Sequence, residues 1–289
     1  MMLQTHNPRK DDVLEKINVM INQEKTTYVC RDYMKDPVSR NINSVTEVNE
    51  IFREKIVGWY FQVVDYYHID REAVAISISY LDRFLSMNHC DKKTFKLAAS
   101  TALYLAVKIN EPNKADIMKV LPRLSRKEFC LEHIKKMEIA MLKSLSWRLN
   151  PPTPGLFVQL ILELLPSTMT KSSVDEISNI ATFFTQLSHY DYYFAIEYPC
   201  TIAFAAILNA LEALCFEVSP STNWKSFLNE LAESFDLRYD SKDVVNARMR
   251  LWILDERDQD FSLRNIPQES ERKKRKCGKI QDTLVVTNV

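Results

Sequence analysis

The sequence predicts an all-α protein made of two tandem five-helix units behind a short N-terminal helix. Only three glycines occur in 289 residues, and prolines fall mainly between apolar blocks, a composition of helices with short connections. From Leu97 to Val107 the chain carries no charge, within a run from Lys96 to Glu111 that also lacks Gly and Pro. A helix apolar all round belongs in the middle of a protein, and this one is far too short to cross a membrane. Displaced by 104 positions, Ala99, Ala102, Leu103, Ala106 and Val107 meet Ala203, Ala206, Ile207, Ala210 and Leu211. The central helix is present twice, which indicates a duplicated unit.

In chain order, Val13, Leu14, Ile17, Met20 and Ile21 fall on one face at helical spacing and predict an amphipathic leading helix. Ser44-Val45-Thr46-Glu47 is a capping-box pattern that would start a helix running to about Tyr67. Asp70 is placed to cap a helix through Met87, and Asp91 to cap the central one, where Ala98, Ala102 and Ala106 flatten one face for close neighbours. A short helix is expected near 116–120, and Ser125-Arg126-Lys127-Glu128, a second capping box, opens a long helix to about Ser146. Asn150-Pro151-Pro152-Thr153-Pro154 forces extended backbone, after which Thr153 suits an N-cap and Pro154 the first helical position. The second set of helices is expected at about 154–165, 173–189, 199–215, 223–234 and 240–253. The resulting division is 1–45 as a leading segment, 46–150 and 151–254 as the two units, and 255–289 as a tail with the basic run Arg272 to Lys276.

The 38 acidic and 38 basic side chains cancel, which argues against a fold that grips nucleic-acid phosphates. Six scattered cysteines without a C-x-x-C pair point to a reduced compartment and no metal site. The opening Met-Met-Leu-Gln-Thr-His-Asn-Pro resembles neither a signal nor a transit peptide, and no membrane partner is expected. No Gly-rich phosphate loop, H-E-x-x-H or nucleophile context occurs, and the acidic cluster Asp11-Asp12-x-x-Glu15 has no second cluster to face. Neither cofactor nor catalytic residue is expected.

Several blocks carry a family resemblance. Phe52-Arg53-Glu54-Lys55-Ile56-Val57-Gly58-Trp59 resembles the Met-Arg-Ala-Ile-Leu-Val-Asp-Trp block of cyclins, and Tyr80-Leu81-Asp82-Arg83-Phe84-Leu85-Ser86 matches a cyclin-box segment closely. Leu105-Ala106-Val107-Lys108-Ile109-Asn110-Glu111 is similar to Leu-Ala-Ser-Lys-Phe-Glu-Glu, and Arg53, Asp82, Leu97, Lys108 and Glu138 fill the signature positions of the first box. The resemblance, from about Asp11 to Trp252, implies two tandem cyclin folds and a regulatory subunit that activates a cyclin-dependent kinase, located in nucleus and cytoplasm. A cyclin-fold transcription regulator, with a transcriptional kinase or DNA as its partner, is the alternative.

The same resemblance implies the sites. Arg53 and Asp82 would form an internal ion pair. Lys108 and Glu138 would reach the kinase backbone, with Leu105, Ile109, Leu142, Trp147 and Leu149 as the apolar pocket for its C-helix. Trp147 stands where many cyclins carry Phe, and Asn110 where they carry an acidic residue, pointing to a divergent kinase. A docking groove for short substrate or inhibitor motifs maps to Phe52, Ile56, Trp59, Gln62 and Lys96, although a Phe/Ile/Trp stripe at this spacing also suits a core. Gln62, Lys96 and Gly58 stand where Glu, Gln and Asp respectively are common, departures that remove negative charge from the groove. Lys108 aligns with Glu212 in the internal repeat, so the sign at the helix exit differs between units and a task specific to the first unit is expected of Lys108.

Overall fold

The computed structural model describes residues 8–35, 49–114, 128–165, 169–214 and 222–265. Every regular element among them is a helix: α1 (Pro8–Thr26), α2 (Glu50–Tyr66), α3 (Glu72–Leu85), α4 (Lys92–Asn110), α5 (Leu131–Ser144), α6 (Pro154–Glu163), α7 (Lys171–Ser188), a 3-10 turn (Tyr192–Ala195), α8 (Pro199–Ala213), α9 (Thr222–Phe235) and α10 (Lys242–Asn265). They fall into two compact units.

The first unit contains Val29–Pro151 together with His189–Ile196. Its centre is α4, packed against α3 and α5. Phe95, Ala98, Ala99, Ala102, Leu103, Leu105, Ala106 and Val107 are all buried, so the uncharged run is the core itself. Asp91 caps α4 by accepting from the Thr94 amide at 2.7 Å. Asp70 works one residue earlier than a cap: α3 opens at Glu72, whose amide Asp70 Oδ1 accepts at 2.9 Å.

The second unit contains Pro152–Ser188 and Glu197–Arg257, with α8 at its centre against α6 and α7. Thr153 accepts from the Leu156 amide at 3.2 Å and Pro154 takes the first turn of α6. The leading helix groups with this unit and does not stand alone as a separate segment. Val13, Ile17, Met20 and Ile21 are buried, α1 packs on α6 and α9, and Lys10 pairs with Glu230 at 2.6 Å. A short amphipathic helix needs such a surface, since alone in water it is marginal.

Three helix limits differ from the sequence expectation. The helix expected from Thr46 begins at Glu50, where Asn49 accepts from the Phe52 amide at 3.1 Å; the capping box at 44–47 lies outside the described residues. The helix expected from Ser125 is observed from Leu131, with Phe129 buried before it and Cys130 at the N-cap position; residues 125–127 of the capping pattern lie outside the described residues. That helix ends at Ser144, because Ser146 and Trp147 both turn to positive φ, 51° and 59°. The short helix near 116–120 and the tail from 266 onward lie outside the described residues.

The exit of the central helix is handled alike in both units. Lys108 at the end of α4 pairs with Glu138 of α5 at 2.7 Å, and Glu212 at the end of α8 pairs with Arg248 of α10 at 2.5 Å. The sign is inverted while the ion pair is kept. The difference in charge at this position is therefore accounted for by packing, and by itself assigns no special task to Lys108.

Candidate functional site

Arg53 and Asp82 lie on α2 and α3 and are both almost fully buried. The guanidinium donates from Nε to Oδ1 at 3.0 Å and from Nη2 to Oδ2 at 2.8 Å, a bidentate pair. Arg53 Nη1 donates to the His189 carbonyl at 2.7 Å, and the Tyr33 hydroxyl donates to Asp82 Oδ1 at 2.8 Å. Burial works against the charged guanidinium, and the adjacent Asp82 carboxylate more than offsets this, so its pKa stands above the ordinary arginine value. This network ties α2, α3, the 29–35 segment and the 189–196 segment together and leaves no reactive group exposed.

At the α4–α5 edge the Lys108 side chain is 47% exposed and the Glu138 side chain 11%. The hydrogen bond to Glu138, with a smaller contribution from the Tyr104 hydroxyl, holds the ammonium above its usual pKa, and the Tyr104 ring centroid lies 5.4 Å from Nζ. An ammonium has three N–H donors and a carboxylate about four acceptor positions, so one mutual bond does not exhaust either group.

The apolar residues expected to accompany this pair divide in two. Leu105 and Leu142 are buried, and they form a floor and not an open pocket. Ile109 and Leu149 pack partly exposed against the core, and Trp147 projects with 68% of its surface in solvent. The Trp147 mount is built by several bonds. The Trp147 amide donates to the Leu142 carbonyl and the Ser146 amide to that of Lys143, both at 3.0 Å, the paired pattern of a helix end with a left-handed residue. From α3, Arg83 Nη1 donates to the Arg148 carbonyl at 3.1 Å and the Tyr80 hydroxyl to that of Leu149. Nothing in the sequence marks Tyr80 and Arg83 for these holding roles, or marks Ile139, next to Glu138 in α5 and 55% exposed, as surface. An apolar residue in an amphipathic helix gives no local sign that it faces outward.

The groove candidates are less open. Ile56 and Trp59 are core residues, buried with the rest of the α2 stripe. Phe52 is partly exposed with the Lys92 ammonium 4.6 Å from its ring centroid, Gln62 is exposed, and Lys96 pairs with Glu128 at 3.7 Å. The stripe at this spacing is mainly packing, and the surface it offers is small and flanked by cations. Among the described residues no cluster of His, Cys, Asp or Glu could hold a metal ion, and no helix is long and apolar enough to cross a membrane.

This architecture is the cyclin fold. A viral cyclin from herpesvirus saimiri superposes with a TM-score of 0.62 at 17% identity, covering 84% of this chain and 96% of that one. A chain of the CAK complex of Chaetomium thermophilum bound to ATP-γ-S superposes with a TM-score of 0.51 at 15% identity, covering 98% and 85%. Residues 15–150 match the family described as Cyclin, N-terminal domain. Among curated proteins, the G2/mitotic-specific cyclin S13-6 of Glycine max is 30% identical over 173 residues, 58% of this chain and 36% of that protein. The human G2/mitotic-specific cyclin-B2 is 27% identical over 213 residues, 68% and 51%. The chain is thus similar to cyclins in sequence over residues 15–150 and in its fold. It spans between about a third and two thirds of the length of the first curated relatives it matches.

Proposed function

We propose that this protein binds a cyclin-dependent protein kinase and holds it active by fixing the position of the kinase C-helix, as a regulatory subunit without catalysis of its own. The observation that carries the reading is the 68% exposed indole of Trp147 on the turn that ends α5, the same helix whose Glu138 pairs with the half-exposed Lys108 at 2.7 Å. In an active kinase the C-helix Glu must pair with a strand Lys, so a surface that prefers the inward helix shifts the population by its difference in affinity. Lys108 would donate to kinase carbonyls and Glu138 accept from amides, fixing register, while Trp147, Ile109 and Leu149 supply apolar area. Removing one charge would leave its partner groups unpaired at a cost on the order of 2–5 kcal/mol.

A role in cell-cycle control follows the same reading, supported by the G2/mitotic names of the relatives. Short substrate or inhibitor motifs would meet Phe52 and the lysines around it with little preference for an Arg-containing motif. Residence in nucleus and cytoplasm is proposed on the basic run Arg272 to Lys276, and replacing those five residues by Ala should shift a fluorescent fusion toward the cytoplasm.

The test is phosphorylation of a generic substrate by a panel of cyclin-dependent kinases, with and without the protein, comparing wild type with the folded Lys108→Ala, Glu138→Ala double variant. Activation that the variant loses is the expected result. Binding without activation would replace the reading by a scaffold, and no kinase binding, with salt-dependent binding to duplex DNA, by a transcription factor of cyclin fold.

A further inference from the structure

The outer face of α10 carries a stripe of exposed side chains that no other described element covers. Val245 is 38% exposed, Met249 61% and Ile253 54%, while Val244, Ala247, Leu251 and Leu254 on the opposite face are buried. Lys242 and Glu256 are exposed as well. At 100° per residue, Lys242, Val245, Met249, Ile253 and Glu256 fall within about 80° of arc, so they form one line along the helix.

The order of chemistry along that line is palindromic. Val245 and Ile253 stand four residues on either side of Met249, and Lys242 and Glu256 stand seven on either side. Read in the opposite direction, cation becomes anion and apolar stays apolar. A second α10 laid antiparallel, with a two-fold axis at Met249, would place Val245 against Ile253, Met249 against its own copy, and Lys242 against Glu256 at both ends. A parallel neighbour would instead set like charges together. The nearby Arg248 is engaged with Glu212 and Asn209 on the inner side and does not intrude on the line.

We infer that α10 is a self-association surface whose occupant is a second copy of this chain, bound antiparallel through Val245, Met249 and Ile253 and locked in register by Lys242–Glu256 pairs. An isologous contact must be self-complementary about its axis, and this stripe is so in both polarity and spacing. The apolar part is short, so association should be weak, with Kd on the order of 10–100 µM. The inference is independent of the kinase-binding reading.

Sedimentation equilibrium of the full chain across 1–300 µM tests it, with every substituted position on the surface so that folding is preserved. Wild type should dimerise and Met249→Glu should remain monomeric. Lys242→Glu alone and Glu256→Lys alone should each weaken the dimer about tenfold, through like charges at both ends. An equimolar mixture of those two variants should recover wild-type affinity, because each mixed pair is again opposite in sign. A monomer throughout the range, a dimer indifferent to Met249→Glu, or failure of the mixture to recover would each overturn the proposal. The last result, with dimerisation of wild type intact, would assign the stripe to a different geometry or to another protein's helix.

Discussion

Glu24 of α1 accepts a hydrogen bond of 3.0 Å from the amide of Cys200 in the first turn of α8. A carboxyl from one helix thus caps the N-terminus of another, satisfying an amide that α8 cannot pair within itself. The cap is only half used, because Glu24 Oε1 is buried without a partner among the described residues. Burial, partly opposed by the Cys200 hydrogen bond, raises the Glu24 pKa from 4.5 to about 7.

Proton linkage at Glu24 follows from that. A folded-state pKa raised above the unfolded value contributes stability that is present below pH 4.5 and lost as pH rises toward 7. In Glu24→Gln this dependence should disappear. The stability of the variant relative to wild type, from urea unfolding, should improve by about 3 kcal/mol between pH 4.5 and pH 8.

His189, in the first unit, is linked with the opposite sign. Desolvation, aided by the Arg53 cation, lowers its pKa from 6.5 to about 3, so the folded protein resists protonation where the unfolded chain accepts it. Stability of that unit should fall as pH drops from 6.5 toward 3, and His189→Gln should flatten the slope in a pH series of thermal unfolding.

Breaking the Arg53–Asp82 pair should be costly. Asp82→Ala leaves a buried guanidinium uncompensated and should destabilise by about 3–5 kcal/mol, and Arg53→Met with Asp82→Leu should recover part of the loss. Urea midpoints of the single and double variants measure the coupling.

Lys108→Ala should separate binding from folding. Its side chain is about half exposed while that of Glu138 is 11% exposed, so loss of the pair should lower stability by about 1–2 kcal/mol while kinase affinity falls at least a hundredfold. Equal effects on both would make the pair a structural element only.

Gly58 lies inside α2, and a Cβ there would meet Tyr190 Cε1 at 3.8 Å, ordinary contact. Gly58→Ala should therefore stabilise by about 0.5–1 kcal/mol through the unfolded chain and tighter helix formation, read from the thermal midpoint.

Much of the fold was legible because its signals are local. The uncharged run of α4, its copy in α8, the Asp91 cap and the Thr153-Pro154 start each depend on residues close in sequence. What escaped depends on tertiary placement. Glu24 reads as one more polar residue of an amphipathic helix until Cys200 is brought beside it, and nothing near His189 announces that 189–196 packs against α2. At the candidate site, the sequence singled out Lys108, Glu138 and Trp147, but the spacing of Ile56 and Trp59 suits core and groove equally, and only burial separates them.

The scarcity of glycine has a consequence at the helix ends. The left-handed positions after α2, α5 and α9 fall to His68, Ser146 with Trp147, and Asp236, at φ of 51° to 59°. Each costs on the order of 1 kcal/mol that glycine would not, and that cost is met once, when the chain folds. At Trp147 the result is an indole on a stiff mount, with two backbone bonds beneath it and two α3 side chains holding the next two carbonyls. A flexible glycine turn would have to be frozen each time something docked there. This one arrives already frozen, so the entropy of ordering has been spent before any encounter, and the gain should appear as a longer-lived complex.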